Sequence, residues 1–364
     1  MESGVTRLSM TRSDKKPDRS SPPVEPGPPA HTEGPSAAPF DWRDYVDALI
    51  AERGSLAALA AHLCERRNHA EDQGSVERGL RRLRERGSRP GGVWGDRALR
   101  CFGLPGAVSD RVRWMGQYHT RFTDLPVPLA QELLRPWDRP PLSEGPERVW
   151  ILLGQTSLAL RRRDPEGAAA LLEQAALLDA RCEPTARVEL ALVEAFVYAR
   201  RHPVRAGEAL ERASALLDEH REALERDAPE DYACLFARLI DQRAYPLNKP
   251  PKGHGRPVHH VALVLYQSIP EDGPPFARCR RHNGMGWTHL HLGEGEAARR
   301  HALASVRAAG DSGSLRMRAM ALNLLAATLE ARHQHGDARQ ARARAQAIAA
   351  RLEDEALRLR FRSR

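Results

Sequence analysis

One group of histidines has the residue type and the spacing that metal binding requires. His282, His289 and His291 lie close to Cys279 in the sequence, and a separation of seven residues places His282 and His289 on one face of a helix. Imidazole nitrogens in such an arrangement are ligands for transition metals. No HExxH or CxxC motif accompanies them. The sequence therefore favours histidines at the solvent or at the edge of a core, and we expect no metal site.

The chain lacks the motifs of the common catalytic and nucleotide-binding classes. It contains no GxSxG sequence, no protein-kinase motif set and no dinucleotide-binding fingerprint. Residues 248–256 combine lysines with glycines, which suits contact with a phosphate or an acidic peptide, but they lack the strand and the spacing of a P-loop. We therefore expect no enzyme activity and no cofactor, and we interpret residues 248–256 as a solvent-exposed loop.

Arginines form a row on the amphipathic segment Ser75–Gly87. Val76, Leu80 and Leu83 give this segment one apolar face, at intervals of four and three residues. The other face carries four arginines: Arg78, Arg81, Arg82 and Arg86. Residues 75–121 contain 11 arginines and four acidic residues, a local charge of +7 in a chain whose net charge is +8. Such a local charge favours contact with phosphates.

With Gly54–Leu63 before it, the Ser75–Gly87 helix resembles the helix-turn-helix of winged DNA-binding regulators. That resemblance implies a recognition helix whose arginines contact DNA in the major groove. Two features depart from the family. The linker Cys64–Gly74 is longer than the usual three or four residues, and residues 88–102 indicate a turn and another helix rather than a β-wing. A helical cap with a solvated arginine face is the alternative interpretation.

Composition indicates a helical protein without a membrane segment. Hydrophobic residues make up 41% of the chain and aromatic residues 5%, while Ala, Leu, Arg and Glu are abundant, which favours helices over sheets. Only four of the 56 basic residues are lysines, so an arginine run carries less functional weight here than usual. The five cysteines are scattered, and no apolar run is long enough to form a signal or a membrane span. We expect a cytoplasmic protein.

Changes in composition divide the chain into four regions. Residues 1–39 are rich in Pro and Ser and poor in apolar side chains, which predicts a disordered arm. Order is expected to begin near Asp41, a suitable N-cap. Residues 40–122 form a helical module rich in Arg and Trp, residues 123–146 form a Pro-rich connector that interrupts regular structure, and residues 147–364 have helical periodicity almost throughout.

The fourth region contains a recurring pattern of small residues. In the segment Asn283–Ala298, Gly286 and Ala298 each fall in the middle of an expected helix, and Gly293 lies between the two helices. Small side chains let antiparallel helices pack closely, and the intervening glycine lets the chain reverse. A 40-residue period separates Asn283 from Asn323 and Gly286 from Ala326.

This pattern, with the opening Trp150-x-x-Leu153-Gly154, resembles a tetratricopeptide (TPR) repeat. The resemblance implies an all-α fold in which helical hairpins stack into a right-handed solenoid. Five hairpins are expected. Their turns are predicted at Asp164–Gly167, His202–Pro203, Gly293 and His335–Asp337, and the third pair, whose first helix is Asp231–Arg243, carries an insertion at Tyr245–Pro257.

In TPR proteins, polar residues near the start of each first helix face a concave groove and bind a peptide. The resemblance carries this role to Arg280, Asn283, Trp287 and Asn323. We therefore expect a non-catalytic scaffold or sensor that binds a protein or peptide in the groove. The alternative is a DNA-binding regulator whose repeats receive a signal. For the two asparagines, a role in capping or adjusting their own helices is equally open.

Overall fold

A computed structural model describes residues 40–65, 72–250 and 255–362. These residues form 18 α-helices and no β-strand, which confirms the predicted all-α class. The predicted disordered arm, residues 1–39, lies outside the described residues. The first nine helices are α1 (Trp42–Arg53), α2 (Leu56–Glu65), α3 (Gln73–Arg84), α4 (Gly92–Phe102), α5 (Gly106–Gly116), α6 (Val127–Leu134), α7 (Arg148–Arg161), α8 (Pro165–Ala176) and α9 (Pro184–Tyr198). The second nine are α10 (Pro203–Glu219), α11 (Arg221–Asp227), α12 (Pro229–Asn248), α13 (His259–Gln267), α14 (Pro275–His291), α15 (Gly295–Asp311), α16 (Leu315–Ala331), α17 (His335–Arg351) and α18 (Glu355–Arg360).

The N-terminal helices pack around a buried tryptophan. Asp41 caps α1 as predicted, because its carboxylate accepts hydrogen bonds from the backbone N–H groups of Arg43 and Asp44. Trp42, the first residue of α1, is fully buried, and the absence of a side chain at Gly91 and Gly95 leaves room for its indole ring. Helix α4 occupies the place where a β-wing would follow α3, as the sequence indicates.

Helices after residue 147 pair as hairpins: α7 with α8, α9 with α10, α12 with α13, α14 with α15, and α16 with α17. Each first helix also contacts the next first helix, from α7 through α9, α12 and α14 to α16. Gly286 on α14 and Ala298 on α15 are both buried, as predicted. A β-carbon at Gly286 would lie 2.6 Å from Leu324 Cδ2, so any larger residue would force the Leu324 side chain of α16 to shift.

Three hairpin boundaries differ from the prediction. The first turn is not at Asp164–Gly167, because α8 begins at Pro165 and the chain reverses at residues 162–164. The last turn is not at His335–Asp337, because α17 begins at His335 and the chain reverses at residues 332–334. His333 takes the left-handed conformation there (φ 60°), the role that Gly293 has in the preceding hairpin (φ 80°). Helix α12 runs beyond the predicted Arg243 to Asn248, whose side-chain amide donates a 2.7 Å hydrogen bond to Thr288 Oγ1 on α14.

The predicted connector is more regular than expected. It contains α6 and three short 3₁₀ helices, at Arg121–Asp124, Arg135–Trp137 and Leu142–Glu144. Its backbone reaches the far end of the chain, since Val127 N donates a 3.1 Å hydrogen bond to the carbonyl of Leu352. Helix α18, which follows Leu352, contacts α7. The first and last hairpins are therefore joined through this region.

Candidate functional site on the first helices

Three arginines from successive first helices surround one tyrosine. Arg238 of α12, Arg280 of α14 and Arg316 of α16 place their guanidinium carbons 4.7, 5.4 and 5.5 Å from the centre of the Tyr118 ring. Arg280 also donates a 3.1 Å hydrogen bond to the Tyr118 hydroxyl. The side of α12, α14 and α16 that carries these arginines is the inner face. Because the first helices stack side by side, residues far apart in the sequence meet on this face.

The electrostatics of the inner face stabilise a negative charge on Tyr118. Burial opposes ionisation, but Arg316, Arg280 and Arg238 together lower the pKa of the Tyr118 hydroxyl to about 8. Arginine is suited to this environment because its planar guanidinium stacks on an aromatic ring and keeps its charge. The inner face is therefore built to hold an aromatic ring that carries a hydrogen-bonding oxygen.

Each inner-face arginine also meets a carboxylate. Arg238 donates to the fully buried Glu189 of α9. Arg280 Nη1 donates to Asp241 over 2.6 Å, and Arg316 Nη1 lies 3.4 Å from Asp354. Asp354 also accepts from Arg161, so this carboxylate is shared by two guanidinium groups. The charges on the inner face are thus largely balanced, with a local excess of positive charge beside Arg316.

Tyr118 belongs to the segment Gln117–Leu125, here named the inner strap, which consists of a turn and the 3₁₀ helix Arg121–Asp124. His119 Nε2 lies 2.8 Å from Asp231 of α12. At its other end, Asp124 Oδ1 accepts hydrogen bonds from Ser314 Oγ (3.0 Å) and from the backbone N–H of Arg316 (2.9 Å). Asp124 thereby supplies an acceptor at the N-terminus of α16, where backbone donors lack helical partners. The strap is held to the inner face at both ends.

The four predicted groove residues have different surroundings. Arg280 is 8% exposed and is already engaged by the chain itself through Tyr118 and Asp241. Asn283 and Trp287 follow on the same face of α14, at spacings of three and four residues, and both are half-buried. Asn283 Nδ2 is buried without a hydrogen-bond partner among the described residues. Asn323 is half-buried on α16, 40 residues after Asn283.

Sequence reasoning missed three residues of this site: Tyr118, Arg238 and Arg316. Tyr118 lies in the module that was separated from the repeats by composition, and 162 residues separate it from Arg280. No local pattern connects them. A search for arginines near the start of each first helix would have found Arg316 beside Arg280, because both lie within the first six residues of their helices.

The predicted arginine face of α3 is exposed. All four predicted residues are exposed to solvent: Arg78, Arg81, Arg82 and Arg86. Arg86 lies in the turn after α3 rather than on the helix, because α3 ends at Arg84. Two of them make long ion pairs within the module, Arg78 with Asp72 at 3.6 Å and Arg81 with Glu77 at 3.4 Å. On the opposite face Val76, Leu80 and Leu83 are fully buried, as predicted. Helix α3 therefore has one face in the core and one basic face at the surface.

Only two residues of the predicted histidine group, His282 and His289, meet between α14 and α15, whereas His291 stacks on His259 of α13. His282 Nδ1 is 3.1 Å from His301 Nδ1, and the His289 ring stacks on His301 with centroids 5.2 Å apart. Burial, followed by the neighbouring His282 and His289, lowers the pKa of His301 to about 4. Within the described part of the chain, no three His, Cys, Asp or Glu side chains are grouped so as to hold a metal ion.

Comparisons with known proteins give no relative for this chain. No protein-family model, no curated protein and no solved structure matches it. The resemblances to TPR and helix-turn-helix proteins therefore depend on the residues named above. In the ranges that the structure describes, no helix combines the length and the apolar character needed to cross a lipid bilayer.

Proposed function

We propose that this protein is a non-catalytic scaffold or sensor whose inner face binds an extended segment of a partner protein. The observation that carries the proposal is that the inner face already binds a segment without α-helix in cis, the inner strap with Tyr118 among Arg238, Arg280 and Arg316. Side chains from successive helices hold this segment of the same chain in place. Such a surface is suited to hold a segment of another protein in the same way.

The part of the inner face beyond Arg280 is the proposed partner site. Asn283 is partly exposed, and its buried, unpartnered Nδ2 would donate to a carbonyl of a bound peptide after the side chain turns outward. Trp287 offers a half-buried indole, a side chain that gives large contact area at low entropy cost. Asn323 stands at the equivalent position of the next first helix and supplies a second amide. Spaced amides of this kind can follow the backbone of an extended ligand.

The finer fold assignment belongs to the same proposal. A right-handed, TPR-like solenoid is supported by the five consecutive hairpins, by contacts between successive first helices, and by the 40-residue period. A cytoplasmic location belongs to the same proposal and is supported by the scattered spacing of the five cysteines.

The test is a peptide-library selection on the full-length protein. Selected peptides should bind at least about tenfold more weakly to a Trp287→Ala, Asn323→Ala variant, because two anchors of the site are then lost. The matched control is Arg339→Ala, an exposed residue of the outer helix α17, which should leave binding unchanged. Peptides that bind equally to all three proteins would place the binding site elsewhere and refute the proposal.

DNA binding through α3 is a second candidate function, favoured by the exposed arginines on a helix whose other face is buried. A gel-shift assay with genomic DNA fragments tests it. DNA binding predicts complexes that weaken steeply with salt and are lost in an Arg81→Glu, Arg82→Glu variant. The control variant Arg339→Glu, Arg344→Glu on α17 changes the net charge equally and should retain binding. Absence of complexes at low salt, or loss in both variants, would rule out this function.

A further inference from the structure

The inner strap is more exposed in its middle than at its ends. Gln117 is 5% exposed, and Phe122 and Asp124 are 3% and 8% exposed. Tyr118 is partly exposed, whereas the His119 side chain is 9% exposed and lies 2.8 Å from Asp231. Tyr118 is held on the inner face by its contacts with the arginines, so a competing ligand must replace those contacts.

Around Tyr118 the inner face has more hydrogen-bond donors than acceptors. Arg316 Nε and Nη1 and Arg280 Nε are buried and make no hydrogen bond within the described chain, and neither does Gln117 Nε2. Buried polar groups in proteins are ordinarily hydrogen-bonded. Arg316 Nη1 is in the 3.4 Å ion pair with Asp354, but Arg316 Nε, Arg280 Nε and Gln117 Nε2 remain as donors that a ligand with additional acceptor atoms would satisfy.

We infer that Arg238, Arg280 and Arg316 form a subsite for a tyrosine side chain of the partner peptide, which Tyr118 occupies until the partner displaces it. The inference rests on the proposed function and specifies its partner: an extended segment with a tyrosine and with acceptor groups beside it. The strap itself shows this chemistry. It carries Tyr118 and, further along, Asp124, whose carboxylate accepts a hydrogen bond from the backbone N–H of Arg316 at the start of α16.

A tyrosine fits the subsite better than a free anion does. The carboxylates Glu189, Asp241 and Asp354 already balance much of the arginine charge. What remains unused is the flat surface of the guanidinium groups, which favours an aromatic ring. The hydrogen bond from Arg280 to the ring oxygen then distinguishes tyrosine from phenylalanine. The lowered pKa of Tyr118 agrees with this preference, because the arginines stabilise charge on the phenolic oxygen.

The experiment uses the full-length protein and a fluorescent synthetic peptide that copies residues 115–125. Binding is measured by fluorescence anisotropy to the wild-type protein and to the Tyr118→Ala variant, whose folding is checked by circular dichroism. Three forms of the peptide are compared: the natural sequence, its Tyr118→Phe form and its Tyr118→Ala form. We expect the natural peptide to bind the Tyr118→Ala protein at least about tenfold more tightly than wild type, because the cis competitor is gone.

The order of the three peptides decides the inference. Tyrosine should bind best, phenylalanine less well, and alanine at least about tenfold more weakly than tyrosine. The same order should hold for wild-type protein at lower affinity, so the test survives if the Tyr118→Ala protein does not fold. Equal binding of the tyrosine and alanine peptides to both proteins would overturn the inference. Displacement of the peptide by inorganic phosphate alone would also overturn it, since the subsite would then be an anion site.

The tyrosine subsite and the proposed partner site can fail independently of each other. Library peptides that depend on Trp287 and Asn323 but show no preference for tyrosine would retain the partner site and remove only the tyrosine subsite. If strap peptides bind but the library selection yields no peptide, the inner face binds only the strap of its own chain, and the proposed function is wrong.

Discussion

Arg161 and Asp354, 193 residues apart, form a buried ion pair with 3.1 Å between Nε and Oδ2. Their side chains are 1% and 0% exposed. Arg161 Nη2 also donates to the carbonyls of Leu125 and Leu352, at 2.8 and 3.1 Å. This one guanidinium therefore joins the first hairpin, the inner strap and the end of the last hairpin. Burial, and then the nearby Arg316, lower its pKa to about 10, which leaves it charged at neutral pH.

Loss of Arg161 should destabilise the whole protein. In an Arg161→Met variant the Asp354 carboxylate and two carbonyls lose their shared donor, while the size of the side chain is roughly kept. We expect the free energy of unfolding in urea to fall by about 3 kcal/mol, because two carbonyls lose their donor and Asp354 keeps only its 3.4 Å ion pair with Arg316. Arg162→Met, at the exposed neighbouring residue, should change it by less than about 0.5 kcal/mol. Equal effects would show that Arg161 is not a buried connection.

Tyr118 should ionise before the other tyrosines. Its pKa is lowered to about 8 by the three arginines despite burial, whereas burial raises the pKa values of Tyr45, Tyr232 and Tyr266. Absorbance near 295 nm, which follows phenolate formation, should therefore rise in a separate step near pH 8. That step should vanish in a Tyr118→Phe variant. A first step in wild-type protein only near pH 10 would contradict the described surroundings of Tyr118.

The histidine group should make stability depend on pH. The pKa of His301 in the folded chain is about 4, below its ordinary value of 6.5, so the unfolded chain binds the proton more readily. Stability is then lost as pH falls from above 6.5 towards 4. We expect His301 to contribute a loss on the order of 1 kcal/mol, since partial exposure reduces the full effect. Urea unfolding at several pH values should show a smaller loss for His301→Gln, and an unchanged loss would disprove the role of this group.

Two glycine substitutions should have opposite effects. A β-carbon at Gly116, the end of α5, would lie 2.4 Å from the backbone oxygen of Trp150 on α7. Gly116→Ala should therefore lower the free energy of unfolding by about 1–3 kcal/mol, because backbone must move. Gly207 lies within α10 and meets no atom within 4 Å, so Gly207→Ala should raise stability by about 0.5–1 kcal/mol. Thermal unfolding compares the two, and a stabilising Gly116→Ala would contradict the close α5–α7 contact.

Local patterns were sufficient to predict the helices and their pairing. The small residues Gly286 and Ala298 and the apolar spacing of Val76, Leu80 and Leu83 depend only on near neighbours, and the structure buries them all. The turn at His333 was missed because a residue other than glycine adopts positive φ there. Asn248 extends α12 past the predicted end because it bonds Thr288 in another helix.

The inner strap could not be predicted because its contacts are non-local. An irregular segment normally indicates a surface connection, yet residues 117–125 lie against three first helices. The position of Tyr118 depends on how those helices stack, which no single segment encodes. The sequence therefore predicted an unoccupied groove on the first helices. In the structure, Arg280 already binds Tyr118.

Cross-linking of a library-selected peptide tests the central proposal most directly. The peptide would carry a photoreactive residue at successive positions, and mass spectrometry would locate its attachment to the full-length protein. Binding on the inner face predicts attachment to α14 between Arg280 and Trp287 and to α16 around Asn323. Attachment confined to the outer helices α15 and α17, or to α3, would contradict the proposal.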